Sequence, residues 1–319
     1  MRTRAVAALI ALAASAGAFA QAYPNKPIRM LAISAPGGGT DLLARTYAQG
    51  MADSLGQSIV IDNKPGGGGI IATETLAKAP PDGYTILMTN TSHSVLPSLH
   101  KKLPYDVNKD FAPVSLVALT HSLLLVNPSL PVKSIKDFIA YARDQQGKLS
   151  VASPGVGSAN HLAMELLTMH TQFKYLHVPY KGAGEAVVAL ASGQTMASLP
   201  SVAGMLPLVE SGKVRALAVT TLKRVASLPN TPTVDETIVP GFNYGVWYGV
   251  AVPAATPRVI VDRLNAALTK AVQVPDVREA MDKQAMVPLT GTPSDFAGVI
   301  AREIDQTAKL MQAAGLKPE

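Results

Sequence analysis

The 319 residues contain no cysteine, which excludes a disulfide scaffold, thiolate metal sites and a lipid anchor on an N-terminal cysteine, and is compatible with an oxidising compartment. Beyond the first twenty residues nothing approaches the roughly 18 consecutive apolar residues that a membrane span needs, so the mature chain is expected not to be membrane-inserted. No run of basic residues interleaves with aromatics, and nucleic acid is not an expected partner. The six histidines, His93, His100, His121, His161, His170 and His177, never take ligand spacing such as His-Glu-x-x-His. There is no Gly-x-Ser-x-Gly elbow. Gly37-Gly38-Gly39-Thr40-Asp41 and Gly155-Val156-Gly157-Ser158-Ala159-Asn160 both miss the dinucleotide pattern Gly-x-Gly-x-x-Gly. No metal and no cofactor is expected.

What is present begins with a leader. Arg2 and Arg4 precede the apolar run Ala5 to Ala14, and Ala18-Phe19-Ala20 is a small-x-small cleavage signature. Residues 1–20 read as a signal peptide cleaved near Ala20/Gln21, and the simplest address is a bacterial periplasm. The two arginines are not adjacent, which argues against twin-arginine export. The chain counts 28 Lys and Arg against 22 Asp and Glu, a net +6 that falls by two when Arg2 and Arg4 leave with the leader. About 300 residues remain, enough for two lobes, since single cores stop growing near ~250–300 residues.

The stretch Ile28 to Asp41 reads as strand, glycine loop and helix. Ile28, Met30, Ala32 and Ile33 form a short apolar run, and Leu42, Leu43, Tyr47, Met51 and Leu55 follow at helical spacing. Pro36 and Gly37 to Gly39 therefore sit at a helix N-terminus, where the first N–H groups lack intrahelical partners and the dipole is positive. An anion can approach that backbone without any Lys or Arg. A second strand at Ser58 to Asp62, a glycine turn at Gly66 to Gly69, a helix at Ile70 to Ala79 and a strand at Tyr84 to Met88 complete a β-α-β-α-β unit. Ligands in such sheets lie outside the carboxyl ends of the strands, where Ser34 to Asp41, Asn63 to Gly69 and Thr89 to His93 share an edge.

The opening theme then repeats. A strand at Leu149 to Ser153 leads into the loop Pro154 to Asn160, and His161, Leu162, Glu165, Leu166 and Met169 begin a helix with Ser158 as its N-cap. Two strand–glycine–helix elements in separate lobes are expected to clamp one ligand between them by clamshell closure. Val178 to Gly184 ends another strand, and Lys181 there is either a cleft charge or a solvated loop lysine. Phe111 to Asn127 reads as a strand leaving the first lobe, and Tyr244 to Val252, with Trp247, as the return. Two helical patterns, Val259 to Val272 and Ser294 to Ala314, close the chain.

With those segments in view, the chain resembles the substrate-binding proteins of the tripartite tricarboxylate transporter family, the Bordetella uptake gene type. The resemblance runs through Tyr23-Pro24-Asn25-Lys26-Pro27-Ile28, Pro36-Gly37-Gly38 with Asp41 and Arg45, Asn63-Lys64-Pro65-Gly66 and Pro81-Asp82-Gly83-Tyr84-Thr85. It continues through Lys109 to Val114, Gly155 to His161, His177-Val178-Pro179-Tyr180-Lys181-Gly182, Arg215 to Val219, Val239-Pro240-Gly241-Phe242 and Gly291-Thr292-Pro293.

It implies an α/β, two-lobed periplasmic binding protein (type II) fold, each lobe a mainly parallel sheet flanked by helices. The expected division is 21–120 for the first part of lobe 1, 121–244 for lobe 2 and 245–319 for the return to lobe 1. The implied function is capture of a small organic anion, a carboxylate or dicarboxylate, aromatic acids included, and delivery by a monomeric carrier to the membrane permease subunits of a transporter. A periplasmic enzyme or ligand sensor acting on carboxylates is the alternative.

Ligand-binding positions implied are Ser34, Ala35, Pro36, Gly37, Gly38, Gly39, Thr40 and Asp41, then Ser153, Gly155, Val156, Gly157, Ser158 and His161. The strand-edge reading adds Thr89, Asn90, Ser92 and His93, and Tyr180, Lys181 and Gly182. Asp41 would repel an anion and is expected to cap the loop or helix backbone instead. Ser34-Ala35 stands where relatives often have an aromatic, and Thr195-Met196 where they often have an acid.

Overall fold

The computed structural model describes residues 23–313 apart from 157, 203, 226 and 285, together with Pro318. The leader read at 1–20 and the loop position Gly157 lie outside those residues.

The chain opens with β1 (Ile28–Ala32), α1 (Gly39–Leu55), β2 (Ile59–Asn63), α2 (Ile70–Ala77), β3 (Thr85–Asn90) and α3 (Ser92–Leu99). Leu43, Tyr47, Met51 and Leu55 put one face of α1 against the sheet, where all four are buried. The helix stops at Gly56, whose left-handed backbone (φ +71°) lets its N–H close onto Ala52 O. Then come β4 (Phe111–His121), β5 (Leu123–Val126), α4 (Ile135–Asp144), β6 (Ser150–Ser153), α5 (Ala159–Thr171), β7 (Leu176–Pro179) and α6 (Ala183–Ser192). The remainder is β8 (Ala197–Ser198), α7 (Leu206–Glu210), β9 (Arg215–Val219), α8 (Val234–Thr237), β10 (Gly245–Pro253), α9 (Arg258–Ala271), α10 (Pro275–Lys283), β11 (Val287–Pro288) and α11 (Pro293–Ala313).

Two sheets result, ordered β11-β4-β10-β3-β1-β2 and β7-β6-β8-β5-β9. The β1–β2, β1–β3, β6–β7 and β6–β8 ladders are parallel. The antiparallel insertions are informative. Both β10, beside β3 and β4, and β5, beside β8 and β9, are the first strand the chain forms after changing sheets. A strand entering from the other sheet arrives at the carboxyl edge and must run backwards. Thr220 pins both crossings together: its hydroxyl accepts the Ser122 N–H (2.9 Å) and donates to Tyr244 O (2.6 Å).

Each sheet has its own core. One gathers Met30, Leu43, Tyr47, Ile86, Val250 and Leu264; the other Leu124, Phe138, Val151, Leu167 and Leu217. Burying a side chain of this size contributes about 1.5–3 kcal/mol, so each sheet carries enough apolar mass to hold its own helices. Between them a small cluster of Val95, Leu99, Leu162 and Met311 joins α3, α5 and α11.

Helices absent from the sequence reading include α7, α8 and two that matter to packing. Thr89 to His93 was expected as loop, but Asn90 Oδ1 accepts the Ser92 N–H (2.9 Å) and α3 starts at once. The stretch 275–283 was read as no element, yet Val277 and Met281, four apart, bury one narrow face of α10.

Candidate functional site

Loop 34–41 follows β1 and is held from within. Thr40 Oγ1 donates to Ser34 Oγ (2.7 Å) and accepts the Ser34 N–H (3.1 Å), and Asp41 N donates to Ser34 Oγ (3.2 Å). Asp41, only 2 % exposed, turns away from the loop's open side: Oδ2 accepts the Gly37 N–H (2.8 Å), and Oδ1 accepts from Arg45 Nε and Asn63 Nδ2, each at 2.9 Å. Burial pushes this carboxyl up, but the bonds from Arg45, Gly37 and Asn63 outweigh it and hold it below the usual carboxylate range. Asn63 Nδ2 also donates to Ser34 O (2.9 Å), so the end of β2 braces the loop. Gly37 needs its glycine, because φ is +81° there. A Cβ at Gly37 would meet nothing within 4 Å, which marks the open side.

Among the described residues the N–H groups of Gly39 and Thr40 have no acceptor, as the first turn of an uncapped helix requires. Beneath them stands Tyr248 of β10, whose hydroxyl would lie 2.5 Å from a Cβ on Gly39. Burial pushes the Tyr248 hydroxyl up to about 12, and its bond to Ser201 ties this floor to the chain leaving β8.

The second loop, after β6, is built alike. Ser153 Oγ accepts the Gly155 N–H (3.1 Å), donates to Gly155 O at 2.9 Å or to His177 Nε2 at 2.7 Å, and so fixes the turn where Gly155 adopts φ +139°. Ser158 caps α5 by accepting the His161 N–H (3.4 Å). The N–H groups of Ala159 and Asn160 have no acceptor among the described residues. The His161 ring stacks on His177, centroids 3.9 Å apart and 9° from parallel, with His161 Nε2 3.5 Å from Glu165 Oε1 and Tyr175 donating to the same oxygen at 2.6 Å. Burial lowers both imidazoles to about 4, His177 also through its neighbour His161. Both are neutral at pH 7, so attraction for an anion here comes from backbone N–H groups. The Ser158 hydroxyl thus serves the backbone, and the His161 ring faces His177.

Parallel pairing of β6 with β7 sets the segment 180–182 beside this loop; Tyr180 N donates to Ser153 O (2.9 Å), and Gly182 opens α6. Lys181 is exposed, with its own N–H directed to Glu185 Oε2 (3.3 Å).

One strand serves both helix starts. Tyr244, entering β10, donates to Ala159 O (3.0 Å) at the head of α5, and Tyr248, four residues on, underlies the head of α1. Ala159 packs into the core of the first sheet, so the two lobes touch at this point.

The four positions at the end of β3 are placed by that strand and by α3: Thr89 is buried within the sheet, Asn90 pairs with Tyr248 and accepts the Ser92 N–H, and Ser92 is buried. His93 is 2 % exposed with its ring on Phe111 (5.1 Å), a residue paired with Pro253 at the opposite end of β4. The helical turn begun at Ser92 swings that ring onto the sheet face, correcting its placement at the edge. Asn63, placed on the shared edge from the sequence, braces the first loop as its position at a strand end allows; sequence reasoning missed Tyr244, Tyr248 and Ser201, which carried no local signal.

Comparison with known proteins agrees with this layout. The profile of the tripartite tricarboxylate transporter family receptor matches residues 43–316. The chain is similar to protein BugT of Bordetella pertussis, 37 % identical over 300 residues, covering 93 % of this chain and 92 % of that one. Its fold is similar to the periplasmic binding protein BugD, with TM-score 0.87 and 34 % identity over 93 % of this chain and 100 % of the other. It is similar also to an R. palustris protein, Rpa4515, with adipate, with TM-score 0.88, 34 % identity and the same coverage. The two-sheet architecture is thus that of periplasmic binding proteins.

Proposed function

We propose, from the premise that this chain belongs to the tripartite tricarboxylate transporter family of receptors, that it captures a short-chain dicarboxylate between its two sheets and delivers it to membrane permease subunits. The family is one of solute-binding receptors, and the protein is not an enzyme. In this reading the sheets are the two lobes, the leader sends the chain to the periplasm, and each carboxylate of the ligand is held by one glycine-loop helix start.

The observation that carries the reading is the seating of both helix starts on one strand. Tyr244 and Tyr248 are four residues apart, so one stretch of chain touches both helix starts, and a molecule with a carboxylate at each end, a short diacid, would engage both. Adipate in the R. palustris protein is such a molecule. Positive helix ends and unpaired N–H groups supply the complementary field, and the exposed Lys181 lies beside the second of them.

A thermal-shift screen of the purified protein against mono-, di- and tricarboxylates tests this. Ligand at a hundred times its dissociation constant stabilises by about 2.7 kcal/mol, and at ~2–4 °C per kcal/mol that is several degrees. Dicarboxylates should give the largest rise. A cooperative melt that no carboxylate moves would refute the assignment.

A further inference from the structure

A cavity of about 710 Å³ lies beside the edge strands β9 and β11, across the crossing strands from the glycine loops in the order of each sheet. Its walls come from both halves of the molecule. Thr221 to Val225 and Ser227, after β9, form one side, and Asp282, Met286 and Val287, from α10 and β11, the other; no residue of the glycine loops contributes. The volume lies within the ~300–1,000 Å³ of small-molecule sites.

Its charges do not cancel internally. Arg224 is occupied by Glu236, whose Oε1 accepts from Nη2 at 2.6 Å and from Nε at 2.9 Å. Lys223 on one wall and Asp282 on the other have no ion-pair partner among the described residues. Lining the same cavity, Leu222 and Val287 are 52 % and 47 % exposed, large apolar side chains open to it. His121, also lining it, is lowered by burial and adds no charge at neutral pH.

We propose that this cavity binds a small zwitterion, its carboxylate on Lys223, its cationic nitrogen on Asp282 and a short apolar chain over Leu222 and Val287. A simple anion would bring its charge toward Asp282, a simple cation toward Lys223, and an uncharged apolar molecule would desolvate both without pairing either. Only a molecule with opposite charges at the two ends of an apolar stem satisfies the whole wall.

The test titrates 6-aminohexanoate into the purified protein by calorimetry, with hexanoate and hexylamine as matched arms that each lack one charge. The expected result is saturable binding of the amino acid, with each arm weaker by about tenfold, the loss of one charge-assisted contact. Lys223→Met and Asp282→Asn, both on exposed ground with unchanged melting, should each weaken 6-aminohexanoate by about tenfold. Gly37→Val, on the other side of the crossing strands, should leave it unchanged. Equal binding of hexanoate or hexylamine, absence of saturation, or loss of binding in Gly37→Val would overturn the proposal.

Discussion

Replacing Asp41 by asparagine separates two ways in which a carboxylate can sit beside an anion site. In the structure both Asp41 oxygens are spent on the protein: Gly37 N–H on one, Arg45 and Asn63 on the other. An asparagine has a single acceptor oxygen, so whichever way it turns at least one donor faces its amide nitrogen. Losing a charge-assisted bond to a buried group costs about 1.5–3 kcal/mol. Arg45 is half in solvent and adds at most about 1 kcal/mol. The sum, about 2–4 kcal/mol, lowers Tm by about 4–10 °C at ~2–4 °C per kcal/mol, taking the lower part of that range for a chain this long. Binding weakens as well, because Gly37 is no longer held in place and the loop must be ordered by the ligand. Differential scanning fluorimetry and calorimetric titration with adipate read both effects. The pH dependence has a defined sign. A carboxyl held below its unfolded value of about 3.9 stabilises above that pH and loses its contribution as pH falls through the folded value. The gap between wild type and Asp41→Asn should therefore close below about pH 4. If Asp41→Asn instead bound dicarboxylate more tightly with an unchanged melt, the carboxylate would be facing the ligand and the reasoning would be wrong.

Gly37→Val places a β-branched residue at φ +81° with open space beside it; circular dichroism should remain native, stability should fall by about 1–2 kcal/mol, and adipate affinity should drop at least about tenfold by calorimetry. Glu303, which accepts from Trp247 Nε1, is raised to about 7 by burial. Its stabilisation is present below the unfolded pKa and lost as pH rises through 7, and the emission of Trp247, the single tryptophan, should titrate there. Glu303→Gln should flatten that titration, and a curve that persists would assign it elsewhere. His177, lowered to about 4, works in the opposite direction: neutral burial stabilises above the unfolded value of about 6.5 and is lost as pH falls from there toward 4. His177→Gln should reduce the loss of stability between pH 6.5 and 4 relative to wild type, measured by urea denaturation at each pH.

Much of this arrangement was legible because its signals are local. Strand, glycine run and helix follow one another within 28–55 and again within 150–171, and Ser158 and Asp41 turn to the backbone as their positions at helix starts demand. The antiparallel entry of β5 and β10 was not legible, since it follows from where each strand arrives after changing sheets. His93 was misplaced because a helix beginning two residues after β3 rotates the side chains that a loop would have left at the edge. Tyr244 and Tyr248 were read only as part of an apolar stretch. Their service to two loops more than 80 residues apart in sequence depends on tertiary register alone. The narrow apolar face of α10 escaped because Asp276, Arg278, Glu279, Asp282 and Lys283 crowd around Val277 and Met281 in the sequence.

The central claim is that two helix starts hold one ligand, and backbone amide shifts on titration with adipate test it most directly. The account predicts that the amides of Gly39 and Thr40 and those of Ala159 and Asn160 move together, saturating with a single dissociation constant. Shifts confined to one loop, or two loops saturating with different constants, would contradict it.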